Sequence, residues 1–506
     1  MEFTPNFLIS LFLLSLSALF LVHIGRRNST INRMFPPGPP RWPILGNLLD
    51  LGSMPHRTLT DLKQKYGDII GLRLGAVNTM VILSAKAASE FFKKHDLSFA
   101  ERNKTETMRV HGYDQGSLAL APYGSYWRVL RRLVTVDMLV NKRINETASI
   151  RGKCVKDMVR WIEEESHKVE KKTRGIHVAR FVFLMTLNLL GNLMFSRDMV
   201  DPGSKEGSEF FRAIMRTMES SGFVNVADYF PWLKWLDPQG LKRKVERDLG
   251  KAMDIASKFV KERVEEKKKM VGDKRKDFLD VLLEFEGNGK DEPDKISERN
   301  VNIFILEMFM AGTETTSSTI EYALTELICN PESMTKAKAE LASVIGANRN
   351  VEESDIDNLP FLQAVIKAIQ DTKFMGYHIP KNTQVLVNAW AIGRDPDVWD
   401  NPLRFNPERF IGSKVDYKGQ NYEFIPFGAG RRMCAGVSLG HRVLHLVLGT
   451  ILHQFDWELE SNINPADLDM RDRLGITMRK LEPLRAVPTK CNMLDRIEKD
   501  KAAICP

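Results

Sequence analysis

Apolar positions in this chain fall into one unbroken run, several short strand-like runs and a set of helical stripes. Phe7–Ile24 reads FLISLFLLSLSALFLVHI, 18 residues without a carboxylate, lysine or arginine. That is just long enough to span a bilayer with some thinning. Arg26, Arg27 and Arg33 follow it and only Glu2 precedes it, which places the bulk of the chain in the cytosol. A cleaved signal peptide is disfavoured, because no basic segment leads and no small-residue cleavage site is evident. Phe35–Pro40, FPPGPP, fixes φ and removes donors, so it reads as a stiff hinge. Ile69–Leu74 and Met80–Leu83 read as strands joined by a turn that includes Gly75 and Asn78. Thr105–Gly124 has weak periodicity and reads as a loop, after which Tyr126 opens a helix, YWRVLRRLV. Ala179–Phe195 is an apolar core helix, and Glu209–Met270 holds amphipathic helices around an aromatic knot, Tyr229–Trp235. The knot suits either a packed helix junction or a membrane-facing lip, and both readings stand. Lys267–Asp277 and Glu286–Lys295 read as exposed linker. Ser297 caps a long helix to about Ile328, and Pro331 stops it. Ile303–Met310 within that helix is apolar nearly all round except for Glu307. Val443–Leu452 is an apolar helix, and Gly475–Pro488 has short strand-like runs.

Composition narrows the class. With 506 residues, 43% hydrophobic and 27% charged, most of the chain folds around a sizeable core. The net charge of +8 is modest, and neither zinc spacings nor aromatic-interleaved basic patches occur, so nucleic-acid binding has no support. Five cysteines, Cys154, Cys329, Cys434, Cys491 and Cys505, are odd in number and widely spread. That argues for a reducing compartment rather than a disulfide framework.

Two stretches carry chemistry. Phe427–Gly436 reads FGAGRRMCAG, with Cys434 in a glycine-rich turn. A thiolate there can ligate haem iron and push electron density towards it. Gly430 and Gly436 allow backbone conformations and close approaches closed to other residues. Amides of the turn can point at the sulfur, Arg432 can pair with a haem propionate as a charged fork, and Phe427 would pack on the loop. The second stretch is Ala311–Thr319, AGTETTSST, inside the long helix. Gly, Thr and Ser are poor helix formers, and such a departure mid-core marks a functional site. Ala311 and Gly312 leave room beside the helix, while Thr315 and Glu314 offer a hydroxyl and a carboxylate for proton delivery.

Together these stretches resemble the cytochrome P450 family. Phe427, Gly430, Arg432, Cys434 and Gly436 fit its loop F-x-x-G-x-R-x-C-x-G, and Ala311–Thr316 fits A/G-G-x-D/E-T-T/S. Pro407–Phe410 reads PERF, as in the family, where Arg409 would brace the cysteine loop. The resemblance implies a mainly α fold with small β-sheets behind an N-terminal transmembrane helix. It divides the chain into a membrane anchor and basic flank (1–34), a proline-rich hinge (35–47) and a haem domain (48–506). It implies haem b bound through Cys434, with Trp127 and Arg131 hydrogen-bonding a propionate and Thr105–Gly124 over the substrate pocket. Arg128 and Arg132, on another face of that helix, are either solvated charges or part of a basic surface for an electron donor. The family splits dioxygen, passing one atom to an apolar small molecule, with electrons from NADPH through NADPH-cytochrome P450 reductase. The tail and the C-terminal helix look most like those of plant microsomal members, enzymes of the endoplasmic reticulum membrane that oxidise terpenoids, iridoids or alkaloids. A haem-thiolate isomerase or dehydratase is the rival within the fold, and intact Thr315 and Glu314 argue against it.

The resemblance breaks at one point. The family's E-x-x-R motif, whose Glu and Arg hold the PERF arginine, belongs after NLPFLQAVIK, Asn358–Lys367. Here that stretch runs straight into AIQDTKFMGYHIP, Ala368–Pro380. Glu209–Arg212 and Glu482–Arg485 satisfy the spacing in the wrong places. A gene-model artefact, a degenerate haem-poor copy and a rearranged protein would each explain the jump; the first is favoured because both flanks keep the family pattern. Arg409 is then expected to turn to solvent or to borrow Glu352, Glu353 or Asp371.

Overall fold

The structure is a computed structural model. It describes residues 35–168, 175–201, 205–269, 277–347, 349–368, 383–460, 463–473 and 475–491, together with Ser15. Apart from Ser15, the expected anchor at Phe7–Ile24 lies outside the described residues, as do residues 369–382, Asp371 among them.

Helices dominate. The ones that matter here are α1 (Pro55–Tyr66), α2 (Ser125–Arg132), α3 (Ala148–Lys168), α4 (Val178–Phe195), α5 (Lys205–Gly222), α6 (Leu241–Lys269), α7 (Glu298–Cys329), α8 (Pro331–Ile345), α9 (Pro360–Lys367) and α10 (Val437–Gln454). The long helix α7 starts where Ser297 accepts a hydrogen bond from the Asn300 amide and ends at Asn330, with Pro331 opening α8. Its apolar stretches pack on α4, α6 and α10, which makes it the axis of the main core. Helix α4 is apolar on every side and buried over most of its length. Among the described residues it is the one helix long and apolar enough to cross a membrane, and 78% of it is buried in the core, as the sequence pattern predicts.

Three small sheets flank the helices. Strands β1 (Ile69–Leu74) and β2 (Val77–Ile82) form a hairpin, and β4 (Gln384–Val387) pairs parallel to β2 from Thr79↔Gln384 to Ile82↔Val387. The hairpin turn is Gly75–Ala76 alone; Asn78 is a ladder residue opposite Arg73, since positive φ is needed only at Gly75. The second sheet joins β3 (Ile176–His177), β8 (Arg485–Lys490) and β5 (Phe455–Leu459), and the third joins β6 (Asp472–Arg473) to β7 (Arg479–Lys480). The proline segment is neither helix nor strand, but it is docked rather than free. Phe35 is buried, and the Pro37 carbonyl accepts from the Gly71 amide at 2.8 Å.

Two linker expectations need correction. Thr105–Gly124 carries two short helical turns, Val110–Gly112 and Tyr113–Gly116, because Arg299 of α7 caps the His111 carbonyl at 2.6 Å. Lys267 still belongs to α6, and Asp277 is buried in an ion pair with Arg263 while capping the helix Phe278–Leu283.

Candidate haem-thiolate site

Helix α7 is buried almost throughout, yet Ala311 and Thr315 are exposed, and Met308, Gly312 and Thr319 are half-buried. These positions recur at helical spacing on one face. Neighbouring helices cover the other faces, so this stripe opens onto space within the fold. The Thr315 hydroxyl is on the stripe and donates back to the Ala311 carbonyl at 2.7 Å. Thr319 does the same to Thr315 at 2.8 Å.

Two residues of this stretch differ from expectation. Gly312 does not make room for a ligand: a Cβ there would sit 2.8 Å from Leu190 Cδ1, so its small size lets α4 approach α7. Glu314 points away from the stripe, 2% exposed, and pairs with Arg479 of β7 at 3.1 Å. Burial raises its carboxyl above the usual range, against the pull of Arg479 and Thr477. The tail closes on this side, with Ser318 donating to the Met478 carbonyl at 2.9 Å.

The cysteine loop is a tight turn closed by Cys434 N–H to the Phe427 carbonyl, 2.9 Å. Gly430 has φ +70°, and a Cβ there would press on Asp96 and Phe92. Gly436, at φ −89°, needs no special conformation; what it supplies is its amide, 3.3 Å from Cys434 Sγ. Phe427 meets the ring of Tyr417 edge-on at 5.7 Å, beside the first turn of α10. Cys434 is exposed, while the protein around it still pushes its thiol pKa up, opposed by the Gly436 amide and Arg131. An accessible thiol facing an amide and a guanidinium is set up to be held as a thiolate by a metal.

Trp127, Arg131 and Arg432 do come together. Arg131 Nη1 donates to the Met433 carbonyl at 2.6 Å, and the Arg432 guanidinium lies 4.6 Å over the Trp127 ring. Arg432 also bonds the carbonyls of Ala100 (3.0 Å), Leu118 (3.3 Å) and Ala121 (2.8 Å). Trp127 Nε1 donates to Leu118 O at 2.9 Å, and Arg102 to Ala119 O at 3.3 Å. The cluster is cationic. Burial and then Arg102 push Arg432 down to about 10, with Glu101 the opposing carboxylate, and burial lowers Arg131 and Arg102. Crowded guanidiniums held by neutral carbonyls suit a group bearing two carboxylates, as haem does. The residues present therefore fit the haem at the thiol, at the helix stripe and at the propionate end.

Sequence reasoning missed several partners. Asp96 accepts from Arg431 N–H (3.1 Å) and pairs with its side chain (3.3 Å), clamping the loop from outside. Glu307 carried a signal, a lone carboxylate in an apolar run; Arg102, Asp96 and Arg479 carried none, being distant in sequence from what they touch. Arg132 pairs with Glu292 at 2.7 Å, which neutralises half of the expected basic pair; Arg128 is exposed. Among the described residues Arg409 neither braces the cysteine loop nor pairs with Glu352 or Glu353, and Asp371 lies outside them. Among the described residues its guanidinium meets the carbonyls of Asn401 (3.1 Å), Arg404 (3.1 Å) and Asn406 (3.2 Å) within its own turn. Glu353 is taken by the buried Arg151 and by Arg442 of α10 (3.1 Å).

A mainly helical body with small sheets, a lone loop thiol and an opened Thr-bearing stripe on a buried helix defines the haem-thiolate class. The family model for cytochrome P450 matches residues 36–484. The chain is similar to cytochrome P450 76A2 of Solanum melongena, 53% identical over 93% of this chain and 96% of that one. It is similar to iridoid oxidase of Catharanthus roseus, 50% identical over 93% and 95%. Geraniol 8-hydroxylase of the same plant is 38% identical over 97% and 100%. A zebrafish cytochrome P450 solved with progesterone superposes with a TM-score of 0.70 at 27% identity, covering 86% of this chain and 99% of that chain. The chain belongs to the cytochrome P450 family. It is a haem-iron oxidoreductase of the monooxygenase type, taking electrons from NADPH through a partner reductase.

Proposed function

We propose that this chain oxygenates an apolar terpenoid- or iridoid-like small molecule at the open stripe of α7, with Cys434 as the protein ligand to haem iron. The observation that carries this is the stripe itself: past the first turn of α7, from Val301 to Cys329, Ala311 and Thr315 are the exposed positions of a helix packed in the core. Its likeness to iridoid oxidase and geraniol 8-hydroxylase supports the substrate class. When bound, haem supplies the reduction and cleavage of dioxygen, with one atom passing to the substrate.

The protein's own residues do the rest. Cys434 offers a thiolate steadied by the Gly436 amide and by Arg131. Arg131, Trp127, Arg432 and Arg102 gather where the propionates would be held. Thr315 keeps its proton on the Ala311 carbonyl until a better acceptor stands on the stripe, then turns it inward. Glu314 sits behind the helix, where burial raises its carboxyl above the usual range and Arg479 opposes that rise.

The reading extends to the membrane. Residues 1–34 form the anchor and 35–47 a docked hinge, with the haem domain in the cytosol on the endoplasmic reticulum. Trp42, Ile44, Leu49, Trp232, Trp235 and Leu236 are exposed large apolar residues. Their two segments meet at the β1–β2 turn, where Gly75 N–H reaches Leu45 O (3.1 Å) and Ala76 N–H reaches Tyr229 O (2.8 Å). One wide apolar face beside an anchor suits a bilayer surface.

The test is turnover with isotopically labelled dioxygen, NADPH, a plant reductase and geraniol. One labelled atom in the product and one in water is expected. Product carrying no label would overturn the monooxygenase reading.

A further inference from the structure

The segment Ser117–Ala121 is held from two sides by groups of opposite sign. On one side is Glu307 of α7, which is fully within the core. Its carboxylate accepts from the Ser117 hydroxyl, from Leu118 N–H at 2.6 Å and from Ala119 N–H at 3.1 Å. On the other side stand Arg102, Trp127 and Arg432, which donate to the carbonyls of Ala119, Leu118 and Ala121. Amides run to the carboxylate and carbonyls run to the donors, so the peptide dipoles of one short segment set their positive ends on Glu307 and their negative ends on the guanidiniums.

We infer that Glu307 is a positioning residue of the site: its carboxylate fixes Ser117–Ala121 and thereby sets where Arg432 and Trp127 stand and where the pocket wall beside Ala311 lies. Three donors aimed at one carboxylate explain why a charged group persists in an apolar stretch. A buried carboxylate costs several hydrogen bonds' worth of desolvation unless donors of this kind satisfy it. Glu307 and Ala311 are four residues apart, one helical turn, so the latch and the open stripe share a face. The Ser117 hydroxyl is tied in both directions, since it also accepts from Leu120 N–H at 3.0 Å. Glu307 is itself 5% exposed, between the fully buried Phe304 and Phe309 in the sequence. An amide at this position cannot replace the acid: its NH2 would face an N–H or O–H donor. A shorter acid keeps the acceptors but loses a methylene of reach.

This rests on Cys434 and the α7 stripe forming the haem site, and the two claims are read out separately. Glu307→Gln, Glu307→Asp and the parent are compared as full-length chains by hydrogen–deuterium exchange, with haem status recorded by the carbon-monoxide difference spectrum. In Glu307→Gln the Leu118 and Ala119 amides should exchange about ten-fold faster or more, because a buried latch of this kind governs local opening. Glu307→Asp should recover part of that protection. In haem-loaded protein, Glu307→Gln should raise KM for geraniol or change its product ratio while keeping the thiolate-type spectrum. If Glu307→Gln does not accumulate as folded protein, Ser117→Ala removes one donor without touching α7 and should speed exchange at Leu120. Unchanged exchange in the variant that folds, or an unchanged product ratio and KM with faster exchange, overturns the positioning role. A parent chain lacking any thiolate spectrum would sink the haem reading and leave the exchange result to decide the latch.

Discussion

At the scale of single residues the site divides by what each side chain can reach. Cys434 is accessible and has an amide 3.3 Å from its sulfur, whereas Cys154 is buried with its thiol pushed up to about 12. Burial raises both thiols, so access separates them: Cys154 has no open face on which iron could be held. Cys434→Ser should therefore abolish the thiolate-type carbon-monoxide spectrum, while Cys154→Ser, Cys329→Ser and Cys491→Ser each leave it in place. Survival of that spectrum in Cys434→Ser would show that the ligand is another residue. Thr315 makes a narrower claim. Its hydroxyl is on the open stripe but bonded to the helix, so it carries a proton and holds no cofactor. In haem-loaded protein, Thr315→Ala should keep the spectrum and consume NADPH with most electrons lost to peroxide, product per NADPH falling on the order of ten-fold or more. Product per NADPH equal to the parent's would remove Thr315 from the proton path.

At the scale of elements, the α4–α7 contact is set by Gly312. A Cβ there meets Leu190 Cδ1 at 2.8 Å, closer than packed atoms tolerate. Gly312→Ala should cost about 1–3 kcal/mol of stability, as overpacking does. Gly312→Ala with Leu190→Ala should couple, losing less than the sum of the two single changes. Urea midpoints measure both, and strict additivity would mean that the two helices do not touch there. This contact also marks the limit of what the sequence could say. The helices, their caps and the β1–β2 hairpin were legible, because periodicity, Ser297, Pro331 and Gly75 are local signals. The cysteine loop and the Thr-bearing stretch were legible for the same reason. Facing was not: AGTETTSST does not reveal that Thr315 looks into the fold while Glu314 looks out towards Arg479, or that Gly312 serves a neighbouring helix. Nor could it reveal Asp96 behind Gly430 or Arg102 behind Ala119, since those pairings join segments separated by the whole topology.

At the scale of the whole molecule two surfaces matter, the apolar face near the anchor and the seam at Lys367–Ala368. In a chain lacking residues 1–34, Trp232→Ala with Trp235→Ala should lower partitioning onto phospholipid vesicles several-fold, since both rings are exposed and amphipathic. Equal sedimentation with vesicles would leave those tryptophans without a membrane role. The seam decides more. The cysteine loop is clamped by Asp96 on its outer side, by Arg131 through Met433 and by Arg432 through Ser117–Ala121. From the PERF side nothing comparable reaches it among the described residues: Arg409 is occupied by three carbonyls of its own turn, and Glu353 by Arg151 and Arg442. The family's E-x-x-R pair, which would link this side to the loop, is absent from the sequence that follows Lys367, where α9 ends. A loop fixed on one side and loose on the other must be ordered by the ligand it binds, which weakens that binding. The chain as it stands should accordingly hold less than a full complement of haem. Inserting a family-like E-x-x-R segment after Lys367 should draw Arg409 off its carbonyls onto a carboxylate, raise haem per protein towards one and raise turnover with it. Expressing both forms side by side and measuring haem per protein decides the matter. Full occupancy in the uninserted chain would mean that Asp96, Arg131 and Arg432 suffice to hold the loop, and that the PERF side contributes nothing to keeping the haem.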